Sequence, residues 1–405
     1  MPTADETVTS ESPDLSSDDA PIVQMVTNIV GRGLRERASD IHIEPLNDIL
    51  RIRYRIDGNL VEVQRLPLTL HLSLVSRLKI MAGMNIVERR RPQDGQFSTV
   101  VDEREVDVRV ATVATVFGEK LVMRLLDKRR SMIGLGELGM PRDTHTDFSQ
   151  MIRSPFGMVI CAGPTGAGKT TTLYASLLEI NSSGKNVTTI EDPVEYVFPG
   201  INQVQTNEQA GLTFATGLRA LLRQDPDVIL VGEIRDPDTA RIAVQSALTG
   251  HFVLSSLHGT DASAALHRLL DMGIEAFLIA SSVMGIIGQR LLRRICDSCK
   301  TPYSPDAEEL DLFHRHLPGN SKEIFFHGTG CDDCSHTGYR DRIGVYELLR
   351  ISPRIRQLLV DHATTEQVRE AAIEEGMRPM IVEAMNLVDA DVTTVAEVVR
   401  TLYVA

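Results

Sequence analysis

The sequence predicts an α/β protein built around a phosphate-binding core, and three observations carry that prediction. Short apolar runs recur from about residue 148, separated by helical segments and glycine-bearing turns. One of them leads directly into Gly163-Pro-Thr-Gly-Ala-Gly-Lys-Thr170, which fits a glycine, four residues, then Gly-Lys-Thr. Before residue 128 the pattern is different: alternating apolar and basic residues mark a separate α+β region.

The phosphate loop fixes the first piece of chemistry. Gly157-Met-Val-Ile-Cys-Ala162 reads as a buried strand, and Thr171 to Ile180 reads as the helix after the loop. Gly163, Gly166 and Gly168 free the backbone to turn its N–H groups toward phosphate oxygens. Pro164, Thr165 and Ala167 complete the loop, and Thr171 follows it at the helix N-terminus. Lys169 is placed to reach the β- and γ-phosphates, and the Thr170 hydroxyl is a ligand for Mg²⁺. The loop by itself therefore implies a bound nucleoside triphosphate with Mg²⁺.

Composition bounds the rest. A chain of 405 residues predicts two or three domains. Hydrophobic residues make up 42%, enough for ordinary cores. The longest apolar stretch, Ala276 to Ile287, is too short for a membrane span and carries serines and a glycine. The first twenty residues hold six acids, no Lys or Arg, and many Ser and Thr, so no signal peptide is expected. A cytoplasmic protein follows, with any membrane contact made through a partner. Net charge is −13 and aromatics are only 4%, with no Trp. Those values argue against a dedicated nucleic-acid binder, which needs a basic stripe or stacking rings.

Along the chain, residues 1–20 read as a disordered acidic tail. Residues 21–128 read as the α+β domain: Pro21 to Arg37 has helical spacing, and Leu50-Arg-Ile-Arg-Tyr-Arg-Ile56 alternates as a half-exposed strand before the Asp57-Gly58 turn. Val106 to Val110 and Leu121 to Leu126 are further strands. A linker covers 129–147, and 148–405 form the α/β nucleotide-binding domain, with a cysteine-bearing element at about 292–340 and a helical part at 341–405. Within it Met158–Ala162, Asn186–Ile190, Val228–Val231 and Phe252–Leu257 are the strand candidates.

Three more segments bear on hydrolysis. Thr189-Ile-Glu-Asp-Pro-Val-Glu195 ends a strand with three acids, and an ATPase needs a carboxylate to orient or deprotonate water. The residues alone fit a solvated acidic turn around Pro193 equally well. Asp227-Val-Ile-Leu-Val-Gly-Glu-Ile-Arg-Asp236 has the form of an apolar strand ending in a metal-holding acid. Glu233 is the only acid in register there, which leaves the metal shell open. In Thr249 to Asp261, His258 follows an apolar strand where a γ-phosphate sensor would sit.

Taken in this order, the four segments resemble the GspE/PilB-like ATPases of type II secretion and type IV pilus assembly. Ala38-Ser-Asp-Ile-His-Ile-Glu-Pro45, Arg53-Tyr-Arg-Ile-Asp-Gly58 and Arg91-Pro-Gln-Asp-Gly-Gln96 extend the resemblance toward the N-terminus. The resemblance implies a RecA-like core with a PAS-like N-terminal domain. It implies that Glu195 is the catalytic carboxylate, beside Glu191 and Asp192, and that Glu233 and Thr170 serve the metal. His258 and His251 match the two histidines of the family's histidine box, and Arg109 and Arg124 match arginines sent to the nucleotide. A homo-hexamer is implied too, docked at the inner face of the cytoplasmic membrane on an inner-membrane platform protein, with no direct nucleic acid. The additional N-terminal domain of some members is expected to be absent. Ser255-Ser-Leu-His-Gly-Thr-Asp261 departs from the family's usual wording but keeps the histidine.

Cys296-x-x-Cys299 and Cys331-x-x-Cys334 form two pairs able to close a tetrahedral Cys₄ zinc site. Their separation exceeds that of common zinc ribbons, but the assembly ATPases of the resembled family carry a tetracysteine element here. Four thiolates leave no open position, so Zn²⁺ would be structural. Cys161, alone in a strand, reads as a small core residue. Two rival readings remain at this stage: a nucleic-acid translocase on the same core, and an ATP-binding hexameric adaptor without turnover.

Overall fold

The computed structural model describes residues 20–127 and 133–403. The expected acidic tail therefore lies outside the described residues, apart from Ala20. The chain divides into two compact units, Met1–Lys128 and Arg129–Ala405.

The first unit begins with α1 (Ala20–Arg35), followed by β1 (Asp40–Pro45), β2 (Ile49–Ile56), β3 (Asn59–Pro67) and α2 (His71–Met81). It ends with β4 (Gln93–Val101), β5 (Arg104–Thr115) and β6 (Gly118–Asp127). The six strands form one antiparallel sheet in the order β3-β2-β1-β6-β5-β4. In β2 the alternation works as read: Leu50, Ile52, Tyr54 and Ile56 are buried, while Arg51, Arg53 and Arg55 sit on the opposite face. The buried face packs with Val26, Ile29 and Val30 of α1 and Leu74 and Leu78 of α2 in one core. Tyr54 donates from its hydroxyl to the Ile29 carbonyl at 2.6 Å, which satisfies its polar tip inside that core.

The second unit starts, after a 3₁₀ turn at Leu135–Glu137, with α3 (Arg142–Ile152). Part of the expected linker 129–147 lies outside the described residues, and the rest holds this turn and the start of α3. The core runs through β7 (Gly157–Ala162), α4 (Lys169–Ile180), β8 (Val187–Glu191), β9 (Asn202–Gln205) and α5 (Phe214–Leu221). It continues with β10 (Val228–Val231), α6 (Pro237–Leu248), β11 (Phe252–Leu257), α7 (Ala262–Asp271) and α8 (Ala276–Ser282). Then come β12 (Val283–Ile295), β13 (Lys300–Tyr303), α9 (Ala307–His316), β14 (Phe325–Gly328) and β15 (Tyr339–Arg350). The helices α10 (Pro353–Val360), α11 (Thr365–Glu374), α12 (Met380–Asp389) and α13 (Val395–Val398) close the chain.

Seven strands form the main sheet, in the order β15-β12-β7-β11-β10-β8-β9. All neighbouring pairs are parallel except β12 with β15. Strands β7, β8, β10 and β11 are buried along their whole length, as parallel strands covered on both faces must be. Successive residues feed different layers. Met158 and Ile160 join Ile229 and Leu266 on one side; Val159 and Cys161 join Leu230 and Leu173 on the other. The result is an α/β fold with one antiparallel and one mixed main sheet.

The apolar run Ala276 to Ile287 divides between α8 and β12. One expectation shifts here. The part expected to be helical from 341 is strand as far as Arg350, and the helices start at Pro353. Both strands gain their structure from pairing with each other across a long stretch of chain, so local spacing did not reveal them. Among the described residues, no helix is long and apolar enough to cross a membrane.

Candidate active site

The strands β7, β8, β10 and β11 are parallel neighbours, so their C-terminal ends share one edge of the sheet. The phosphate loop follows β7, the three-acid segment follows β8, Glu233 follows β10 and His258 follows β11. Loop ends gathered in this way are where ligands bind on open α/β sheets.

The loop is pre-shaped for an anion. Gly168 has φ +86°, a left-handed conformation that an L side chain resists, and a Cβ there would meet Gln289 Nε2 at 2.9 Å. Helix α4 starts at Lys169, earlier than the expected Thr171, so Thr170 and Thr171 lie in its first turn with that turn's free N–H groups. Lys169 Nζ donates to the carbonyls of Gly163 at 2.9 Å and Pro164 at 3.0 Å. Burial pulls the Lys169 ammonium below its ordinary range, against the raising field of the Glu233 carboxylate. Pro164, Thr165 and Gly166 are exposed, while Gly163 and Ala167 are buried against the sheet. These features fit a bound polyphosphate.

Hydrogen bonds stitch the neighbouring segments together. The Gly232 N–H donates to Ile190 O at 2.8 Å, Ser256 Oγ donates to Gly232 O at 2.8 Å, and the Ile234 N–H donates to Ser256 O at 3.0 Å. Glu233 receives Arg235 Nη2 at 2.5 Å and lies 3.7 Å from His258 Nε2. Arg235 Nη1 also donates to Asp192 at 3.2 Å. The hydrogen bond to Glu233, aided by Asp192, holds the guanidinium pKa above its already high range.

The three acids after β8 differ sharply. Glu191 is buried and accepts from Tyr174, from Thr189 Oγ1 at 2.5 Å and from Gln203 Nε2 at 3.2 Å. These three donors occupy most of its acceptor sites, which suits it to holding structure. Asp192 is exposed and tied to Arg235. Glu195 is half-buried, and its N–H donates to Tyr174 Oη at 3.3 Å. The two histidines separate as well. His258 leaves β11 at the loop edge; His251 precedes β11 at the other end, its ring bonded to Ser246 O at 3.0 Å.

Sequence reasoning missed Gln289. It is 2% exposed on β12, and its Oε1 accepts from Thr172 Oγ1 at 2.8 Å and Cys161 Sγ at 3.3 Å. Its carbonyl oxygen would be 2.6 Å from a Cβ at Gly163. Gln289 therefore forms the floor under the phosphate loop. A lone amide within a glycine-flanked apolar run was the available signal. Burial pushes the Cys161 thiol up to about 12, so it stays neutral there.

Arg109 and Arg124 belong to the first unit. They are direct cross-strand partners on β5 and β6 and line a hollow of about 460 Å³ with Asp40, Asp94 and Gln96. Arg124 Nε is paired with Asp40 at 3.0 Å.

The cysteines Cys296, Cys299, Cys331 and Cys334 come together, all sulfurs lying within 4.8 Å of one another. Sγ–Sγ separations are 3.8 Å for Cys296 with Cys331, 3.9 Å for Cys299 with Cys334 and 3.8 Å for Cys331 with Cys334. Sulfurs about 2.3 Å from a tetrahedral zinc lie about 3.8 Å apart, so the donor set fits that ion. Backbone N–H groups of Gly330, Cys331 and Gly338 point at the sulfurs from 3.2–3.3 Å. Gly338 has φ +77°, and a Cβ there would sit 2.4 Å from the Gly328 carbonyl oxygen. Only glycine lets these two knuckles close.

An α/β sheet with a glycine-rich phosphate loop between β7 and α4 defines a P-loop nucleotide-binding protein. The chain belongs to the type II/IV secretion system protein family, whose model matches residues 15–400. It is 47% identical over 387 residues to the type II secretion system ATPase E of Vibrio cholerae, covering 95% of this chain and 76% of that protein. It is 44% identical over 400 residues to the type IV pilus assembly ATPase PilB of Myxococcus xanthus, covering 98% and 70%. Among solved structures, the ATPase DotB of Legionella pneumophila superposes with a TM-score of 0.69 at 19% identity, covering 96% of both chains. That last likeness is one of fold.

Proposed function

We propose that this chain is a Mg²⁺-dependent ATPase that powers assembly of a secretion pseudopilus or a type IV pilus. The observation that carries the reading is the shared edge of β7, β8, β10 and β11, with Lys169, Glu195, Glu233 and His258 on the loops that leave it. Relatives named as secretion and pilus assembly ATPases support the same reading.

On this reading the loop N–H groups from Thr165 to Thr170 hold the phosphates, with Thr171 beside them, and Lys169 leaves its carbonyl partners to reach the β- and γ-phosphates. Thr170 and Glu233 would hold Mg²⁺, which supplies charge neutralisation at the phosphates when bound. Glu195 orients the attacking water, and His258 reports the γ-phosphate beside Glu233. Arg109 and Arg124 neutralise charge developing on the transferred group. The core is RecA-like and the first unit PAS-like. The four cysteines hold a structural Zn²⁺. The working form is a cytoplasmic homo-hexamer docked on an inner-membrane platform protein.

The test is Lys169→Ala. Steady-state ATP hydrolysis is expected to fall about 100-fold or more, as when a key charge-stabilising donor is removed. Turnover at the wild-type rate in that variant would overturn the site.

A further inference from the structure

Tyr174 lies on α4, one turn beyond Thr170, and is 2% exposed. Its hydroxyl does two things at once. It donates to Glu191, at the end of β8, and accepts from the backbone N–H of Glu195 at 3.3 Å. Its ring packs edge-on against Phe198, with centroids 4.9 Å apart, and against Tyr196 at 6.4 Å. Gln203 on β9 completes the frame, donating to Tyr196 O at 2.8 Å and accepting from the Phe198 N–H at 2.8 Å. The segment from Glu191 to Phe198 is thus fixed to the helix that begins with Lys169.

We propose that Tyr174 is a positioning residue for ATP hydrolysis: its hydroxyl sets the place of the Glu195 segment relative to the phosphate loop. The inference rests on the reading of Glu195 as the catalytic carboxylate. Burial and the adjoining Glu191 carboxylate hold the phenol pKa well above its usual value, so the donor persists across the working pH range. Removing the hydroxyl leaves the buried Glu191 with one donor fewer and takes one acceptor away from the Glu195 N–H.

The experiment compares Tyr174→Phe with Glu195→Gln in the full chain, measuring steady-state ATP hydrolysis and affinity for a non-hydrolysable ATP analogue. Tyr174→Phe keeps the ring contacts. It is expected to lower kcat by about 10- to 100-fold, the scale of a small misplacement of a catalytic group, while analogue affinity stays within about twofold. A merely structural role would weaken affinity and kcat together, and that result overturns the inference. So does a kcat within about twofold of wild type. If Glu195→Gln keeps full turnover, the reading of Glu195 itself fails; if it loses turnover while Tyr174→Phe does not, only the present inference fails.

Discussion

Arg235 donates to Glu233 at 2.5 Å and reaches Asp192 at 3.2 Å with its other terminal nitrogen. One guanidinium therefore joins the acid after β10 to the acidic segment after β8. The fork is planar and always charged, which suits it to bridging two carboxylates. It links the residue proposed to hold the metal with the segment that carries Glu195.

Arg235→Ala is expected to lower kcat about tenfold or more, equivalent to at least about 1.4 kcal/mol of barrier. The side chain is 55% exposed, so the cost to folding stability is expected to stay below about 1 kcal/mol. Hydrolysis assays and thermal melts on the same preparations check both. Unchanged kcat would show that the bridge has no part in turnover.

Arg109 lies in the first unit and Glu195 in the second, so mixing experiments test whether one chain completes another's site. Arg109→Ala and Glu195→Gln are each expected to be inactive, the arginine alone being worth roughly 10³–10⁵ in rate. In a head-to-tail ring, an equal mixture should restore about a quarter of the sites. Failure of mixed chains to regain activity would assign Arg109 to its own chain.

Metal analysis of purified protein is expected to find about one zinc per chain, as a Cys₄ site requires. Cys331→Ser should lose most of it and melt at lower temperature. Four titratable thiols in metal-free protein of unchanged stability would rule the zinc site out.

Glu44 gives a pH prediction for the first unit. Burial alone would raise its carboxyl, but hydrogen bonds from Arg53, Lys120 and Arg51 outweigh it and hold the pKa at about 2. The folded value is below the ordinary carboxylate value, so Glu44 adds stability that is full above the ordinary value. That contribution fades as pH falls from the ordinary carboxylate range toward about 2. Glu44→Gln is expected to cost about 1–3 kcal/mol at neutral pH, the scale of charge-assisted hydrogen bonds. The difference from wild type should shrink steadily in acid denaturation curves. A gap that stays constant with pH would contradict the assignment.

Some of this was legible in the residues. The strand Val228–Val231 and the strand Phe252–Leu257 have the bounds expected from their apolar runs, because a strand buried on both faces has to be apolar throughout. The outward arginines of β2 follow from period-two alternation. Strands β12 and β15 were not legible. Both mix glycine and arginine with apolar residues, β12 adding a glutamine and β15 two acids, and their ladder joins segments distant in sequence. Gln289 escaped for the same reason: its partners Cys161 and Thr172 are brought to it only by the sheet.

The sequence by itself determined the phosphate loop, the order of the acid- and histidine-bearing segments after it and the two cysteine pairs, since each is a local pattern whose chemistry depends on neighbours in the chain. Tertiary structure decided what those patterns do together. Parallel pairing carried His258 to the loop edge and left His251 at the other end of the same strand. Folding buried Glu191 among three donors while leaving Asp192 exposed. It also closed four sulfurs into one cluster. Burial and contact between distant residues set these outcomes, and neither is written in local spacing.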